Sequence, residues 1–105
     1  VTPRRPLVVV AKVGGSLLDW PGLVPALTAW REAPPQRDAT VVYLAGGGGA
    51  ADWIRRLDTA HGLGDRPSHR LAIRAMALNA HVLAALPIGA NLASSIRPIA
   101  NRPEP

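Results

Sequence analysis

The stretch Val8–Trp20, VVVAKVGGSLLDW, runs apolar into a lone lysine, two glycines and a serine, and then turns amphipathic. A second stretch, Thr40–Leu57, TVVYLAGGGGAADWIRRL, repeats the plan with four glycines. Leu7 to Val13 is Val-rich and continuous, as in a strand buried on both faces of a parallel sheet. Thr40 to Ala45 has the same character. Each run stops at glycine and is followed by helical periodicity, so the chain repeats strand, glycine turn, helix. That order belongs to an α/β protein.

Working outward, Leu23, Val24, Leu27 and Trp30 recur at helical spacing over Pro21 to Trp30, with Pro21 tolerated in a first turn. REAPPQRD, Arg31–Asp38, is a polar, proline-broken connection. After the four glycines the pattern predicts a helix over Ala50 to His61. Trp53, Ile54, Leu57 and Ala60 form its apolar face, Asp52 and Arg56 sit four apart, and Gly62 serves as C-terminal cap. A third helix is expected from Pro67 or Ser68 to Leu86, capped by Asp65 or Ser68. It is apolar almost all round, so it needs cover on more than one side. Beyond Pro87 only ANLASSI, Ala90–Ile96, offers a weak strand. The proline-rich end has nothing to pack, and residues 96–105 are expected to be poorly ordered beside an N-terminal unit over residues 1–95.

The expected architecture is the N-terminal part of a doubly wound, three-layer sandwich with a mainly parallel sheet. Two or three strands leave open edges that such folds cover with further βα units. The sequence therefore reads as the front of a larger domain.

At 105 residues the chain has room for one domain. With 48% hydrophobic and 18% charged residues it is globular rather than disordered. It has no cysteine, which excludes disulfides and thiolate metal sites and is compatible with a reducing compartment. The basic residues before the first apolar run lead to Lys12 without a small-residue cleavage site, so we expect no signal peptide. Leu71 to Leu86 is interrupted by Arg74, Asn79 and His81, so no membrane span is expected and a soluble, cytoplasmic protein is. The net charge of +5 comes from eleven arginines and the single lysine, dispersed along the chain without interleaved aromatics. This argues against a nucleic-acid partner.

In α/β sheets ligands bind beyond the carboxyl ends of the strands, where both glycine turns lie. Glycine lets backbone approach a ligand closely and turns successive N–H groups towards it, while the following helix adds its positive end. An anion, most simply a phosphate, suits such a place; the other reading is a tight turn with no ligand. Two turns flanking the only lysine favour the phosphate. Lys12 stands in an otherwise apolar strand, where a charge is costly unless it meets an anion, a partner or, at an edge, solvent. The turns are not a P-loop, since no G-x-x-x-x-G-K-[ST] occurs. Nor do they satisfy the dinucleotide fingerprint, whose third glycine falls on Ala51 and whose acidic residue some twenty positions on is missing.

KVGGSLL (Lys12–Leu18), LAGGGGAADWIRRLD (Leu44–Asp58) and SHRLAIRAMALNAHVLA (Ser68–Ala84), in that order, resemble the amino acid kinase superfamily, which includes aspartate, acetylglutamate, uridylate and carbamate kinases. GLGDRPSHRLAIRAM, Gly62–Met76, is most similar to the small archaeal-type branch with the aminomethylfuran phosphate kinase. The resemblance covers Leu7 to about Ser95. It implies an ATP-dependent phosphotransferase using Mg2+, in which Lys12 neutralises the transferring phosphoryl group and the N–H groups of Gly14, Gly15 and Gly47 bracket it. Ser16 would seat the phosphate, and Gly46, Gly47, Gly48 and Gly49 would lie against a small-molecule acceptor, with Asp65 a further acceptor contact. Catalysis of this kind is mostly positioning and charge stabilisation, with magnesium on the nucleotide phosphates.

The family's ATP-binding C-terminal half, with a further lysine and acidic residues, has no counterpart in this sequence. A fragment, a subunit completed by a second polypeptide, and a non-catalytic phosphate-binding or assembly module are the alternatives. The third helix, residues 68–86, is the expected contact for a second copy or for that other half. His61, His69 and His81 lack metal-ligand spacing, so no protein-bound metal is expected. Asn79, mid-helix among apolar residues, reads as a buried hydrogen-bonding residue of the interface before it reads as a substrate contact.

Overall fold

The computed structural model describes residues 7–93. Strands β1 (Val8–Val13) and β2 (Thr40–Ala45) pair in parallel, Val8 beside Thr40 and Val13 beside Ala45. Their β-branched residues are stiff at χ1 and suit a pleated surface. Helix α1 (Leu23–Glu32) lies in the crossover that parallel pairing requires. The Thr40 N–H donates to the Leu7 carbonyl (2.9 Å) and the Gly46 N–H to that of Val13 (3.0 Å). The ladder thus runs on into the start of the second glycine turn.

Side chains alternate across a sheet, so Val9, Ala11 and Val13 share one face with Val41, Tyr43 and Ala45. This face carries the core. Val13, Ala45, Leu23 of α1 and Leu83 of the third helix are buried together, with Leu18, Leu27, Tyr43, Ala80, Leu86 and Ile88 packed around them. The Trp30 and Tyr43 rings meet at a tilt, centroids 6.3 Å apart. Arg31 pins the end of α1 by donating to the carbonyls of Gln36 and Ala39 at the entry to β2.

The opposite face does not match the expectation of strands buried on both sides. Val10 is 53% and Leu44 51% exposed, and Lys12 is exposed between them in register. Leu23 of α1 and Leu83 of the third helix both pack on the first face, and no described element covers the exposed Val10, Lys12 and Leu44. A two-stranded α/β unit with a parallel sheet is what these residues build.

Helix α2 (Gly48–His61) begins two residues earlier than its periodicity suggests. It ends at Gly62, whose φ of 61° lies in the left-handed region and whose N–H closes on the Asp58 carbonyl at 2.7 Å. Helix α3 (Asp65–Ala85) follows after a three-residue turn and packs back along α2, burying Ala75 on one helix and Ile54 on the other. Three local expectations are corrected. The cap of α3 is Gly64, not Asp65 or Ser68: the Gly64 N–H is held by the Asp58 carboxylate at 2.9 Å, and the Ser68 hydroxyl is buried without a partner. Asp52 pairs with Arg55, one position nearer than Arg56. Trp53 points outward, 57% exposed, because a step of 100° along the helix separates it from buried Ile54. Ala60 is exposed as well.

Ala90–Ala93 form no strand; the remainder of that candidate and the proline-rich end lie outside the described residues. Among the described residues no helix is long and apolar enough to cross a membrane.

Candidate functional site

Both strands end at the same edge, Val13 beside Ala45, so the turns that follow start as neighbours. Gly15 opens a 3-10 turn, Gly15–Leu17, closed by the Leu17 N–H on the Gly14 carbonyl at 2.9 Å. The second turn passes through Gly46 and Gly47 into α2. The two meet backbone against backbone. A Cβ on Gly15 would lie 2.4 Å from the Gly48 nitrogen and 2.5 Å from its Cα. From the other side, a Cβ on Gly48 would lie 2.7 Å from the Gly15 carbonyl carbon, and the Gly48 φ of +55° is itself unfavourable for any side chain. Only glycine at both positions permits this approach.

The first N–H that α2 satisfies with its own backbone is that of Ala51, on the Gly47 carbonyl at 3.2 Å. Those of Gly48, Gly49 and Ala50 stand outside the helical ladder, at the positive end of the helix dipole. Asn79 reaches from α3 to the same turn. Its side-chain amide donates to the Gly46 carbonyl at 2.7 Å and to the Gly47 carbonyl at 3.1 Å. Asn79 is the hydrogen-bonding residue the sequence predicts, and its partners are the glycine-turn carbonyls. A single asparagine among apolar helix positions carries no sign of which distant backbone it meets.

Of the other residues singled out, Gly14 and Gly49 border the convergence with open space where a Cβ would be. Ser16 is exposed in the 3-10 turn. Lys12 lies in β1 two residues before Gly14, on the open face of the sheet, and no acidic side chain pairs with it among the described residues. It is exposed, so the cost of burying a charge has no part in explaining it. Asp65 is not brought to the turns. It opens α3, fourteen positions before Asn79, and at about 1.5 Å per residue stands roughly 21 Å along the helix from the level of the glycines. A cavity of about 190 Å³ lies between α1, Tyr43 and Pro87–Ile88 and shares no residue with the turns. Among the described residues no group of three or more His, Asp or Glu comes together to hold a metal ion.

The site is thus a parallel-sheet edge where two glycine turns touch, with one exposed lysine beside them and the N-terminus of α2 at their junction. In sequence the chain is similar to a kinase. Over 75 residues, 71% of this chain, it is 33% identical to [5-(aminomethyl)furan-3-yl]methyl phosphate kinase of Methanocaldococcus jannaschii. The match spans 34% of that protein's length. No family model matches the chain, and no solved structure matches it significantly.

Proposed function

We propose that this chain is the acceptor-binding portion of an ATP-dependent small-molecule kinase of the amino acid kinase type. The carrying observation is the backbone contact between Gly15 and Gly48, which sets two N–H-bearing turns around one point beyond the strand ends. The similarity to a phosphate kinase supports the same reading. The group transferred is the γ-phosphoryl of ATP, passing to an oxygen of a carboxylate, phosphate or similar acceptor as the bond to ADP breaks. N–H groups of Gly14, Gly15 and Gly47, with Ser16, surround that phosphoryl group, Lys12 offsets its charge, and Gly46–Gly49 face the acceptor.

The N–H groups of Gly48, Gly49 and Ala50, outside the helical ladder, suit an anion in charge. The described residues offer no carboxylate cluster for Mg2+, which in this reading arrives on the nucleotide's phosphates. Adenine recognition falls to a further portion, and the exposed Ile73, Met76, Leu78 and Val82 of α3 are the surface for that portion or for a second copy.

Transfer needs donor and acceptor held together, so the 105-residue chain alone should not turn over ATP. The test is steady-state kinetics with ATP over a panel of carboxylate and phosphate acceptors. The chain would be assayed alone and joined to the remaining portion of the similar archaeal kinase. Acceptor-dependent ADP release by the joined protein only is the expected result. Robust turnover by the isolated chain, or none with any acceptor after joining, defeats the proposal and favours a non-catalytic module.

A further inference from the structure

Asn79 is the one side chain that α3 sends into the glycine turns by hydrogen bonding among the described residues. An amide nitrogen has two hydrogens, and here both are used, on the Gly46 and Gly47 carbonyls. Reversing the amide would set its oxygen against two acceptors, so the orientation is fixed by the partners.

In a planar trans peptide the C=O and the N–H point in opposite directions. Both peptide units after Gly46 and Gly47 are trans, the single cis bond among the described residues being Pro34–Pro35. Holding the Gly46 carbonyl towards α3 therefore turns the Gly47 N–H away from it. Holding the Gly47 carbonyl does the same for the Gly48 N–H. The Gly47 carbonyl is also tied to the Ala51 N–H at 3.2 Å, so the start of α2 already orients the second unit. Glycine peptides rotate with little steric resistance, so without Asn79 the Gly46–Gly47 unit could present its carbonyl instead. A carbonyl in that place would repel an anion where an N–H attracts one.

We infer that Asn79 is a positioning residue that aims the Gly47 N–H at the phosphate site by holding the preceding Gly46 carbonyl from behind. The inference rests on the phosphate reading of the turns for its purpose, but not for its geometry. It also gives a reason for a polar residue at this place, between Leu78 and Ala80.

The test uses the 105-residue chain, with backbone ¹⁵N relaxation in the absence of ligand and inorganic phosphate as the titrant. In the wild type the Asn79 side-chain amide should exchange with solvent more slowly than that of exposed Asn91, and phosphate should shift the Gly47 amide. Asn79→Ala should lower the order parameters of Gly46 and Gly47 while those of β1 and β2 stay unchanged. It should also weaken phosphate binding roughly tenfold or more, the effect of losing one hydrogen bond to a charged group. Asn79→Asp keeps the shape but has no N–H to donate, so it should behave like Asn79→Ala; a wild-type response in this variant overturns the inference. Unchanged order in Asn79→Ala, or Asn79 and Asn91 amides exchanging alike, overturns it too, whatever phosphate does. Lowered order in a chain whose wild type ignores phosphate upholds the positioning role and removes the anion reading of the turns.

Discussion

Adding one methyl group at Gly15 should separate the two turns, and the structure sets how far. Its Cβ would fall 2.4 Å from the Gly48 nitrogen, where ordinary contact begins near 3.4 Å, so about 1 Å must be found. The obstacle is backbone on both sides, not the free end of a side chain. Neither side is free to move, because the Gly46 N–H is tied to the Val13 carbonyl and the Gly46 and Gly47 carbonyls to Asn79. Overpacking of this kind costs about 1–3 kcal/mol. At roughly 4–8 °C per kcal/mol for a domain near this size, Gly15→Ala should lower Tm by roughly 5–20 °C. Gly14→Ala is the matched control. Gly14 has φ −59° and ψ 137°, which any residue adopts, and nothing lies within 4 Å of its Cβ position. Its change should stay within about 0.5 kcal/mol. Urea unfolding followed by circular dichroism, with both variants beside the wild type, measures the difference. Equal stability of Gly15→Ala and wild type, or equal damage from the two alanines, would refute the claim that the turns touch.

Leu83→Ala, at a position 3% exposed in the core, should cost about 2–5 kcal/mol in the same assay, whereas Leu78→Ala on the 58% exposed side should change the isolated chain by under about 0.5 kcal/mol. Ser68→Ala should raise stability by about 1 kcal/mol, since it removes a buried hydroxyl with no partner and adds helix propensity; a loss would mean the hydroxyl is satisfied in solution. In the joined kinase, Lys12→Ala should lower kcat roughly 100-fold or more while the acceptor KM changes only a few-fold, as for a group acting on charge in the transition state. An unaffected kcat removes Lys12 from the mechanism.

Periodicity and glycine placement alone determine the order of strands and helices here. The runs VVVAKV and TVVYLA are β-branched and apolar, and both stop at glycine, so local stereochemistry suffices to predict two parallel strands with turns at matching ends. The Gly62 cap is legible for the same reason: a left-handed residue ends a helix most cheaply as glycine. Which glycines matter is not local. Gly14 and Gly15 are adjacent and chemically identical, yet only Gly15 meets another backbone, a fact set by how the 3-10 turn leans on the start of α2. Asn79 meets carbonyls 32 and 33 positions away only because α3 doubles back along α2. The same doubling back carries Asp65 to the far end of the hairpin, away from the glycines. It also brings Leu83 of α3 beside Leu23 of α1 on one side of the sheet, leaving Val10, Lys12 and Leu44 exposed where an apolar run by itself suggests burial on both faces. Sequence patterns report the environment of a residue averaged over its neighbours in the chain, whereas contact across a turn or between helices depends on the path between them, which no single stretch contains.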